Sequence, residues 1–415
     1  MNLKSRKSLI AKAGVLITVC LGAIVVLTGC VTTGMSPIGW SGVAENNGTL
    51  FTASKEGRAV AVNVNLENAS RVWADPLVVP STGGGCGIGG SSGGGGGGLG
   101  CGGAAPGVAI YGTPAIANNI PVGIDDKGNA VMGSIVIIAG YNGKVEALQA
   151  NNLKNKVWEY PSGGGYLAPI VSGLTISNSK IYFGTNAGLL YCLDTLGKEK
   201  WSAPFKAGGE IWSTPLVDND LVIFGSFDKK VYALDANTGA KKWEFNTGAT
   251  VVSTAIAQGG IVYIGSLDST FYAINQITGS QVWSFKADHW LWSRSVYLNG
   301  TVYVGTMGDK VYGLDAKTGA KLHEYVVEGQ VSSWPVAAGN EVIVATENGK
   351  LWALNTADAG NNQRLVTSGF PIGINSPLAV VNNIVYVNGV DSNIYSFDVT
   401  KGTPNKIDIK YPVSK

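Results

Sequence analysis

The side chains suited to acid–base or metal chemistry are few in this chain of 415 residues. It contains two His, five Cys, and 28 Asp and Glu together. Carboxylates come in pairs at Asp125-Asp126 and across Asp218 and Asp220, each pair among turn-forming residues. Turn formation explains Asp in such places better than general acid–base catalysis does. Since two His also disfavour a Ser-His-Asp site or a His-rich metal site, we predict no catalytic residues and no metal site.

Aromatic side chains and one cation form a more promising set. Trp292 and Arg294 lie two residues apart, so they share one face of an extended segment. His289 and Trp290 lie just upstream in a predicted loop. Aromatic residues clustered with an Arg are typical of peptide or glycan binding, and the alternative is that they fill a narrow core. The candidate partner- or ligand-binding residues are Trp212, His289, Trp290, Trp292, Arg294 and Trp334.

The first 29 residues have the features of an export signal. Four cations and no acidic residue precede 17 uncharged residues that lead into Leu27-Thr28-Gly29-Cys30. That run is shorter than the ~20 apolar residues of a membrane-spanning helix, and its end follows the lipobox of bacterial lipoproteins. The alternative is an ordinary signal peptide or anchor with a chance Cys. We predict removal of 1–29, lipidation of Cys30, and a tether over 30–39 with a reach of about 30 Å at most.

Such processing places the mature protein outside the cytoplasm as a membrane-anchored lipoprotein. It would lie on the periplasmic face of the outer membrane in a cell with two membranes, and otherwise on the cell surface. Cys86 and Cys101 flank a Gly-rich run and are a candidate disulfide in this compartment, with free or metal-binding thiols as the alternative. Cys192 lies in an apolar segment and is predicted to be a small core residue.

The overall composition indicates a globular β protein. Lys and Arg number 30, the net charge is +2, 14% of residues are charged and 45% are hydrophobic. This balance disfavours a disordered protein and gives no reason to expect nucleic-acid binding. The 59 Gly, together with many Val, Ile, Tyr and Trp, indicate short strands joined by tight turns.

A repeat of about forty residues is the feature that must position these side chains. It is clearest in the segments that begin at Gly225, Gly265 and Gly305. The same frame starts at 53, 139, 184, 225, 265, 305, 345 and 388. Eight copies of this period predict an all-β fold, an eight-bladed β-propeller of four-stranded antiparallel blades, because one such sheet cannot bury both faces alone.

The copy around residue 225 shows the strand pattern. Strands are predicted at 211–217, 221–225, 230–234 and 242–245, with turns between them. The residues from 40 to 415 are predicted to form a single propeller.

The long gap between the first two copies is assigned to two insertions, a Gly-rich one at about 81–107 and another at 118–133. A missed ninth repeat is the alternative, although 81–107 has no strand pattern.

The segment from Ala233 to Trp243 resembles the repeat of the pyrroloquinoline-quinone-like (PQQ-like) propellers, with the pattern A-x-D-x-x-T-G-x-x-x-W. The pattern returns at 273–283 and, with His323 in place of Trp, at 313–323. Weaker copies end at Trp73, Trp158 and Trp201. The resemblance implies that each Trp packs over a Gly-bearing turn and docks neighbouring blades.

Two branches share this repeat. One comprises quinoprotein dehydrogenases, which hold PQQ and calcium in the central channel and typically carry an adjacent Cys-Cys pair that this chain lacks. The other is the BamB family of lipoprotein propellers. This chain resembles that family in its lipobox, its size and its eight compact repeats. The Gly-rich run departs from it.

The resemblance implies a scaffold without catalysis or cofactor, and a protein partner in the cell envelope. In a cell with two membranes that partner is the β-barrel assembly complex. A PQQ-dependent dehydrogenase and a cell-surface peptide- or glycan-binding lipoprotein are the alternatives.

Overall fold

The repeat folds into blades of four antiparallel strands in this computed structural model. The structure describes residues 41–53, 57–63, 71–73, 108–357, 362–367, 373–389, 393–399 and 409–410. Eight four-stranded sheets, each built from one stretch of chain, form an eight-bladed β-propeller, which confirms the predicted fold class. These residues include no helix, and so none that is long and apolar enough to cross a membrane.

The strands are numbered in chain order, four to a blade. Blades one and two contain β1 (Ala44–Asn46), β2 (Thr49–Ala53), β3 (Ala59–Asn63), β4 (Arg71–Trp73), β5 (Ala115–Ile124), β6 (Ala130–Ala139), β7 (Val145–Gln149) and β8 (Asn152–Tyr160). Blades three and four contain β9 (Thr175–Ser177), β10 (Lys180–Gly184), β11 (Leu189–Asp194), β12 (Phe205–Lys206), β13 (Leu216–Asp218), β14 (Leu221–Ser226), β15 (Lys230–Asp235) and β16 (Lys241–Asn246). Blades five and six contain β17 (Ile256–Gln258), β18 (Ile261–Gly265), β19 (Thr270–Asn275), β20 (Gln281–Lys286), β21 (Val296–Leu298), β22 (Thr301–Gly305), β23 (Lys310–Asp315) and β24 (Lys321–Val326). Blades seven and eight contain β25 (Val336–Ala338), β26 (Glu341–Ala345), β27 (Leu351–Asn355), β28 (Gln363–Thr367), β29 (Ala379–Val381), β30 (Ile384–Asn388), β31 (Asn393–Asp398) and β32 (Ile409–Lys410).

The hydrophobic core lies between the blades. The central strands β14 and β15 are buried on both faces, because each blade packs between two neighbours. Phe224 packs with Tyr182 of blade three, whereas the next residue along the strand, Ile223, packs with Ile264 of blade five. Consecutive side chains of one strand therefore join its blade to two different neighbours.

The inner strands are shorter than the sequence predicts. In blade four, residues 211–217 were predicted as a strand, but β13 begins only at Leu216. The preceding residues bond to neighbouring blades: the Ile211 N–H donates to the Thr185 carbonyl at 3.2 Å, and the Thr214 N–H donates to Thr254 Oγ1 at 3.2 Å. Close to the propeller axis, hydrogen bonds between blades thus replace the hydrogen bonds between strands of one blade.

The predicted insertion at 118–133 is a continuation of the blade. Strands β5 and β6 run on as a two-stranded ribbon, with register shifts beside Ala117 and Pro121. Ile124, near its tip, is 75% exposed. The Gly-rich insertion at 81–107 and the predicted modifications at Cys30, Cys86 and Cys101 lie outside the described residues.

The outer tryptophans join each blade to the next, as the resemblance implied. Trp243 of β16 lies against Gly279 in the β19–β20 turn, where an added Cβ would come within 2.7 Å of the indole ring. Its indole N–H donates to the Gln276 carbonyl at 2.8 Å. The same arrangement recurs in three other pairs: Trp158–Gly197, Trp201–Gly239 and Trp283–Gly319. Each of these Gly residues has a positive φ of 71–79°, which glycine adopts without steric cost.

Asp residues in the strand 2–3 turns form a second link between blades. Asp228 accepts hydrogen bonds from the Gly208 N–H at 2.7 Å and the Tyr232 hydroxyl at 2.6 Å, and Asp268 makes the equivalent pair of bonds one blade later. In blade six, Gly and Asp have exchanged places between the turn and the connecting loop. Gly308 occupies the turn, and Asp288 comes from the connecting loop to within 2.6 Å of where a Gly308 Cβ would lie.

Asn388, the last residue of β30, closes the ring between blades eight and one. Its amide donates to the Ser41 carbonyl and to Thr52 Oγ1, both at 2.9 Å, and to the Ala53 carbonyl at 3.3 Å. An apolar cluster of both blades packs beside it. Among the described residues no strand is exchanged between the two blades, and the contacts across this junction include the Asn388 amide and the apolar cluster.

Candidate functional site

The segments that precede the inner strands surround the propeller axis in two rings. In five blades the residue just before the first-ring position donates its backbone N–H to a carbonyl of the preceding blade, and the equivalent positions in other blades follow from the repeat spacing. The first ring contains Tyr111, Val171, Trp212, Val252, Trp292, Ser332 and Asn375. The second ring contains Thr113, Gly173, Thr214, Thr254, Arg294, Trp334 and Pro377. Apart from Arg294, all of these residues line one axial cavity of about 70 Å³.

Two of the predicted tryptophans meet in the first ring. Trp212 and Trp292 belong to blades four and six, yet their ring centroids are 6.5 Å apart in an edge-to-face arrangement. They lie on either side of the smaller Val252 of blade five. The Trp212 indole N–H donates to Asn186 Oδ1 at 3.0 Å, and its ring lies 4.7 Å from that of Phe227. Trp212 is therefore held in place by its own blade and the preceding one.

Arg294 and Trp334 meet in the second ring. The guanidinium carbon lies 5.6 Å from the Trp334 ring centroid, which is within the range of a cation–π contact. Nε of Arg294 is buried and has no hydrogen-bond partner among the described residues. Burial lowers the pKa of this guanidinium.

A chain of hydroxyl acceptors in the second ring stops at Arg294. The Gly173 N–H donates to Thr214 Oγ1 at 3.0 Å, and the Thr214 N–H donates in turn to Thr254 Oγ1 at 3.2 Å. The next position in the ring is Arg294, and a guanidinium has donors only. Arg294 thus interrupts a bonding pattern that a Thr in the same place would continue.

The remaining predicted residues form a separate pair. The Trp290 N–H donates to His289 Nδ1 at 2.9 Å, and the two rings lie 5.4 Å apart. Both side chains are half-buried and lie in the loop between β20 and β21. Neither lines the axial cavity. Of the six predicted residues, Trp212, Trp292 and Trp334 therefore line the cavity. Arg294 belongs to the second ring without lining the cavity, and His289 and Trp290 form a separate loop pair.

Several cavity residues were missed by the sequence analysis. Tyr111, Thr113, Ser332 and Asn375 line the cavity, and the Ser332 hydroxyl donates to Asn375 Oδ1 at 3.0 Å. The signal for them was present, since their segments align with the other inner segments at the repeat spacing.

The paired carboxylates serve turns and blade contacts. Asp125 Oδ1 accepts hydrogen bonds from the Asn129 N–H at 2.7 Å and, with a smaller effect, from the Lys127 N–H at 2.9 Å, and these bonds hold the pKa of this carboxyl below its ordinary value. Asp218 ends β13 and accepts a hydrogen bond from the Gln276 amide at 2.7 Å. Asp220 has a φ of 58° in the turn that follows. This agrees with the predicted turn role.

The residues of the axial channel do not fit a PQQ group. An apolar cavity of about 150 Å³ holds one benzene, and the 70 Å³ found here is smaller than a three-ring quinone needs. No group of three His, Cys, Asp or Glu suited to a cation occurs in the described part of the chain. Cys192 is a buried free thiol whose pKa burial raises to about 11, which makes it a poor nucleophile.

Comparison with solved structures agrees with the fold. The chain is similar to BamB from Moraxella catarrhalis, with a TM-score of 0.60 and 19% identity over 85% of this chain and 94% of that one. It is also similar to the computationally designed Ika8 protein, with a TM-score of 0.64 and 14% identity over 88% and 96% of the two chains. At these identities the likeness concerns the fold alone.

Sequence relatives carry the comparison further. The chain is 34% identical over 114 residues to the outer membrane protein assembly factor BamB of Burkholderia pseudomallei, and 32% identical over 80 residues to that of Shewanella oneidensis. These matches cover 28% and 19% of this chain, and 28% and 20% of the relatives. The chain thus spans less than a third of these curated relatives.

The profile of the family described as outer membrane protein assembly factor BamB matches residues 141–284 and 267–405, which together make up more than half of the chain. The protein is therefore a member of the BamB family of PQQ-like repeat propellers.

Proposed function

We propose that the protein is a non-catalytic scaffold for protein–protein interaction, anchored by lipid outside the cytoplasm. In a cell with two membranes, its role is to support the assembly of outer-membrane proteins. The observation that carries this proposal is the family match over 141–405. Two relatives that align over shorter stretches are themselves named outer membrane protein assembly factors.

The chemistry of the described residues supports a scaffold. The paired carboxylates are engaged in turns, and the buried thiol of Cys192 has a raised pKa. The runner-up, a PQQ-dependent dehydrogenase, requires a bound quinone. An absorption spectrum of the purified protein distinguishes the two, because a quinone absorbs at wavelengths where the aromatic side chains do not.

Membrane anchoring through Cys30 is part of the proposal. The tether from 30 to 39 is short, so the propeller would lie close to the lipid surface. Cys30→Ser should abolish acylation, because an alcohol does not form the thioether that carries the lipid. Metabolic labelling with a fatty acid measures this, and equal labelling of variant and parent would contradict lipidation at Cys30.

The loop pair is the surface we assign to partner capture. His289 and Trp290 are half-buried in the loop between β20 and β21, and they lie outside the axial cavity. An aromatic pair at the edge of a rigid scaffold provides a large contact area at low entropic cost. The pair also occurs in only one of the eight repeats.

The test is co-purification of envelope proteins with the tagged chain from a host that has two membranes. The wild type should retain components of the β-barrel assembly complex, and His289→Ala with Trp290→Ala should lose them. Ile277→Ala is the matched control, because Ile277 is 82% exposed in the β19–β20 turn, at the other end of β20. Equal capture by all three proteins would exclude the loop pair, and absence of the complex from the wild-type sample would overturn the scaffold role.

A further inference from the structure

The two edges of the β5–β6 ribbon differ in how they are protected. On the β5 edge, extra residues shift the register beside Ala117 and Pro121, and Pro121 has no N–H to donate. Bulges and prolines are devices by which natural sheets keep an edge strand from pairing with another chain. Strand β6 has neither between Ala130 and Ser134, and this stretch carries no charged side chain. One edge of the ribbon is therefore blunted, and the other is open.

The open edge of β6 offers main-chain groups that no strand of the described chain pairs. Strand β7 pairs with β6 only as far as Ile135. The Ala150 N–H then donates to the Ser134 carbonyl at 2.9 Å, so the even-numbered residues of β6 turn their N–H and C=O groups to this edge. Because β6 has no bulge, Ala130 and Met132 present these groups in the same direction, beyond the end of β7.

Apolar side chains flank the open edge on both faces of the ribbon. Met132 is 48% exposed on one face, and Val131 is 42% exposed on the other. A strand added at this edge would cover apolar surface on both faces and form main-chain hydrogen bonds at the same time. The repeat does not account for the ribbon, since the first strand has three residues in every other blade and ten in β5.

The turn at the end of the ribbon adds a negative charge. Asp125, Asp126 and Lys127 are all exposed there, and the ion pairs of the described residues do not include Asp126. An antiparallel strand beside β6 would have its C-terminal end next to this turn, so a Lys or Arg at that end would complement the carboxylates. A second copy of the chain, paired through the same edge, would bring only the uncharged Gly133 and Ser134 there. Charge therefore favours a different partner.

We propose that the open edge of β6 is a docking site for an extended segment of a partner protein, with alternating apolar side chains and a cation at its C-terminal end. The segment takes the place beyond the end of β7 and pairs with Ala130 and Met132, in the antiparallel direction because such pairing is slightly the more stable. This site goes beyond the scaffold role. It is also independent of the loop pair, His289 and Trp290, which lies between blades five and six.

The test is binding of a labelled peptide, Thr-Val-Thr-Val-Thr-Lys with both ends capped, to the purified full chain, followed by fluorescence anisotropy. The matched control is the same peptide with its central amides N-methylated, which keeps the side chains and removes the N–H donors. The unmodified peptide should bind saturably, and the methylated one about tenfold more weakly, because main-chain hydrogen bonds carry the pairing. Equal binding of the two peptides, or binding of neither, would overturn the proposal.

A charge exchange tests the direction of the peptide. Glu in place of the peptide's Lys should weaken binding about two- to fivefold, which is the range of an exposed ion pair. Asp126→Asn should reduce that difference, because it removes a carboxylate of the turn. Tighter binding of the Glu peptide would contradict a cationic partner.

Hydrogen exchange of single amides, followed by NMR, locates the peptide on the ribbon. Binding should slow exchange at Ala130 and Met132 and leave Val131 and Gly133 unchanged, since the N–H groups of the latter two already face β5. Protection elsewhere in the chain would overturn the assignment to this edge. A dimer that protects Ala130 and Met132 without peptide would show that a second copy occupies the edge, and would overturn a partner segment.

Variants separate the main chain from the side chain. Met132→Pro removes one outward N–H and should weaken peptide binding about tenfold, whereas Met132→Ala keeps that N–H and should weaken it less. Ile277→Ala is the control, because it removes an exposed apolar side chain outside the ribbon and should bind as the wild type does. Thermal melts verify that each variant is folded. Unchanged binding by Met132→Pro would exclude the edge, and if that variant does not fold, the exchange pattern of the wild type decides.

Discussion

The outer and inner tryptophans of this propeller have opposite relations to the repeat. Trp243 and its three counterparts recur at one position, and each packs on a positive-φ Gly of the next blade. Trp212 and Trp292 share a ring position, but the blade between them has Val252, and Trp334 occupies the other ring. The outer residues close four equivalent interfaces between successive blades. The inner residues line the cavity on the propeller axis.

The position of a Trp in the repeat therefore distinguishes residues that stabilise the fold from residues that could recognise a ligand. A side chain that the fold needs at every interface recurs with the period of the fold, whereas a ligand on the axis meets each blade once. Four predictions test whether this distinction holds, in order of decreasing effect.

Trp243→Ala should have the largest effect on stability. The side chain is 8% exposed, and its removal leaves a cavity and an unpaired Gln276 carbonyl between blades four and five. We expect a loss of about 3–5 kcal/mol in the free energy of unfolding. Urea denaturation measures it, and a loss below about 1 kcal/mol would show that the outer tryptophans do not dock the blades.

Asn388→Ala tests an exception, a residue that is unique and yet structural. Ala occupies the equivalent position in three other blades, at residues 53, 139 and 345, so this change removes only the amide that joins blades eight and one. Loss of the buried hydrogen bonds should cost about 1–3 kcal/mol. Urea denaturation of this variant beside the wild type is the measurement. An unchanged midpoint would show that the Asn388 amide contributes little to closing the ring.

Trp292→Ala combined with Arg294→Ala should destabilise much less than Trp243→Ala. The variant loses aromatic packing at the axial cavity, and it also removes the buried Nε of Arg294, which has no hydrogen-bond partner among the described residues. We expect a net change of at most about 1–2 kcal/mol in the free energy of unfolding. Urea denaturation of this variant beside Trp243→Ala measures it. A loss as large as that of Trp243→Ala would make these residues ordinary core.

Asp235→Asn should have the smallest effect, and only in acid. The hydrogen bond with Lys242, followed by those from the turn residues, lowers the pKa of Asp235 to about 2. A lowered pKa stabilises the fold above about pH 4, and this stabilisation is lost as the pH falls through about 2. Blade five has Asn275 in the equivalent turn, so an Asn is tolerated there. The melting temperature of the variant should approach that of the wild type as acid is added, and a gap that widens would contradict this.

The sequence predicted the blades better than it predicted their inner ends. Frames at forty-residue intervals coincide with the ends of the second strands, because turn residues and buried strands recur together. The segment 211–215 was predicted as strand on its own pattern, but its hydrogen bonds go to other blades. The ribbon at 118–133 was hidden for a similar reason, since two register shifts interrupt its alternation.

The lining of the axial cavity was predictable only in part. Alternation placed Trp292 and Arg294 on one face, but Trp292 lines the cavity and Arg294 does not. The contact between Trp212 and Trp292 depends on a small residue in the blade between them, which no single repeat reveals. The separation of His289 and Trp290 from the channel depends on the direction of a loop.

Because every blade is built from one stretch of chain, the position of the chain ends is independent of the architecture. Joining the present ends by a linker and opening the chain at another blade junction would divide no sheet. Such circular permutants should keep all eight blades while moving the ends to a different sector of the ring. The same continuity allows whole blades to be duplicated or deleted as genetic units, so a ring of this kind can change its number of blades without an intermediate that has a divided sheet.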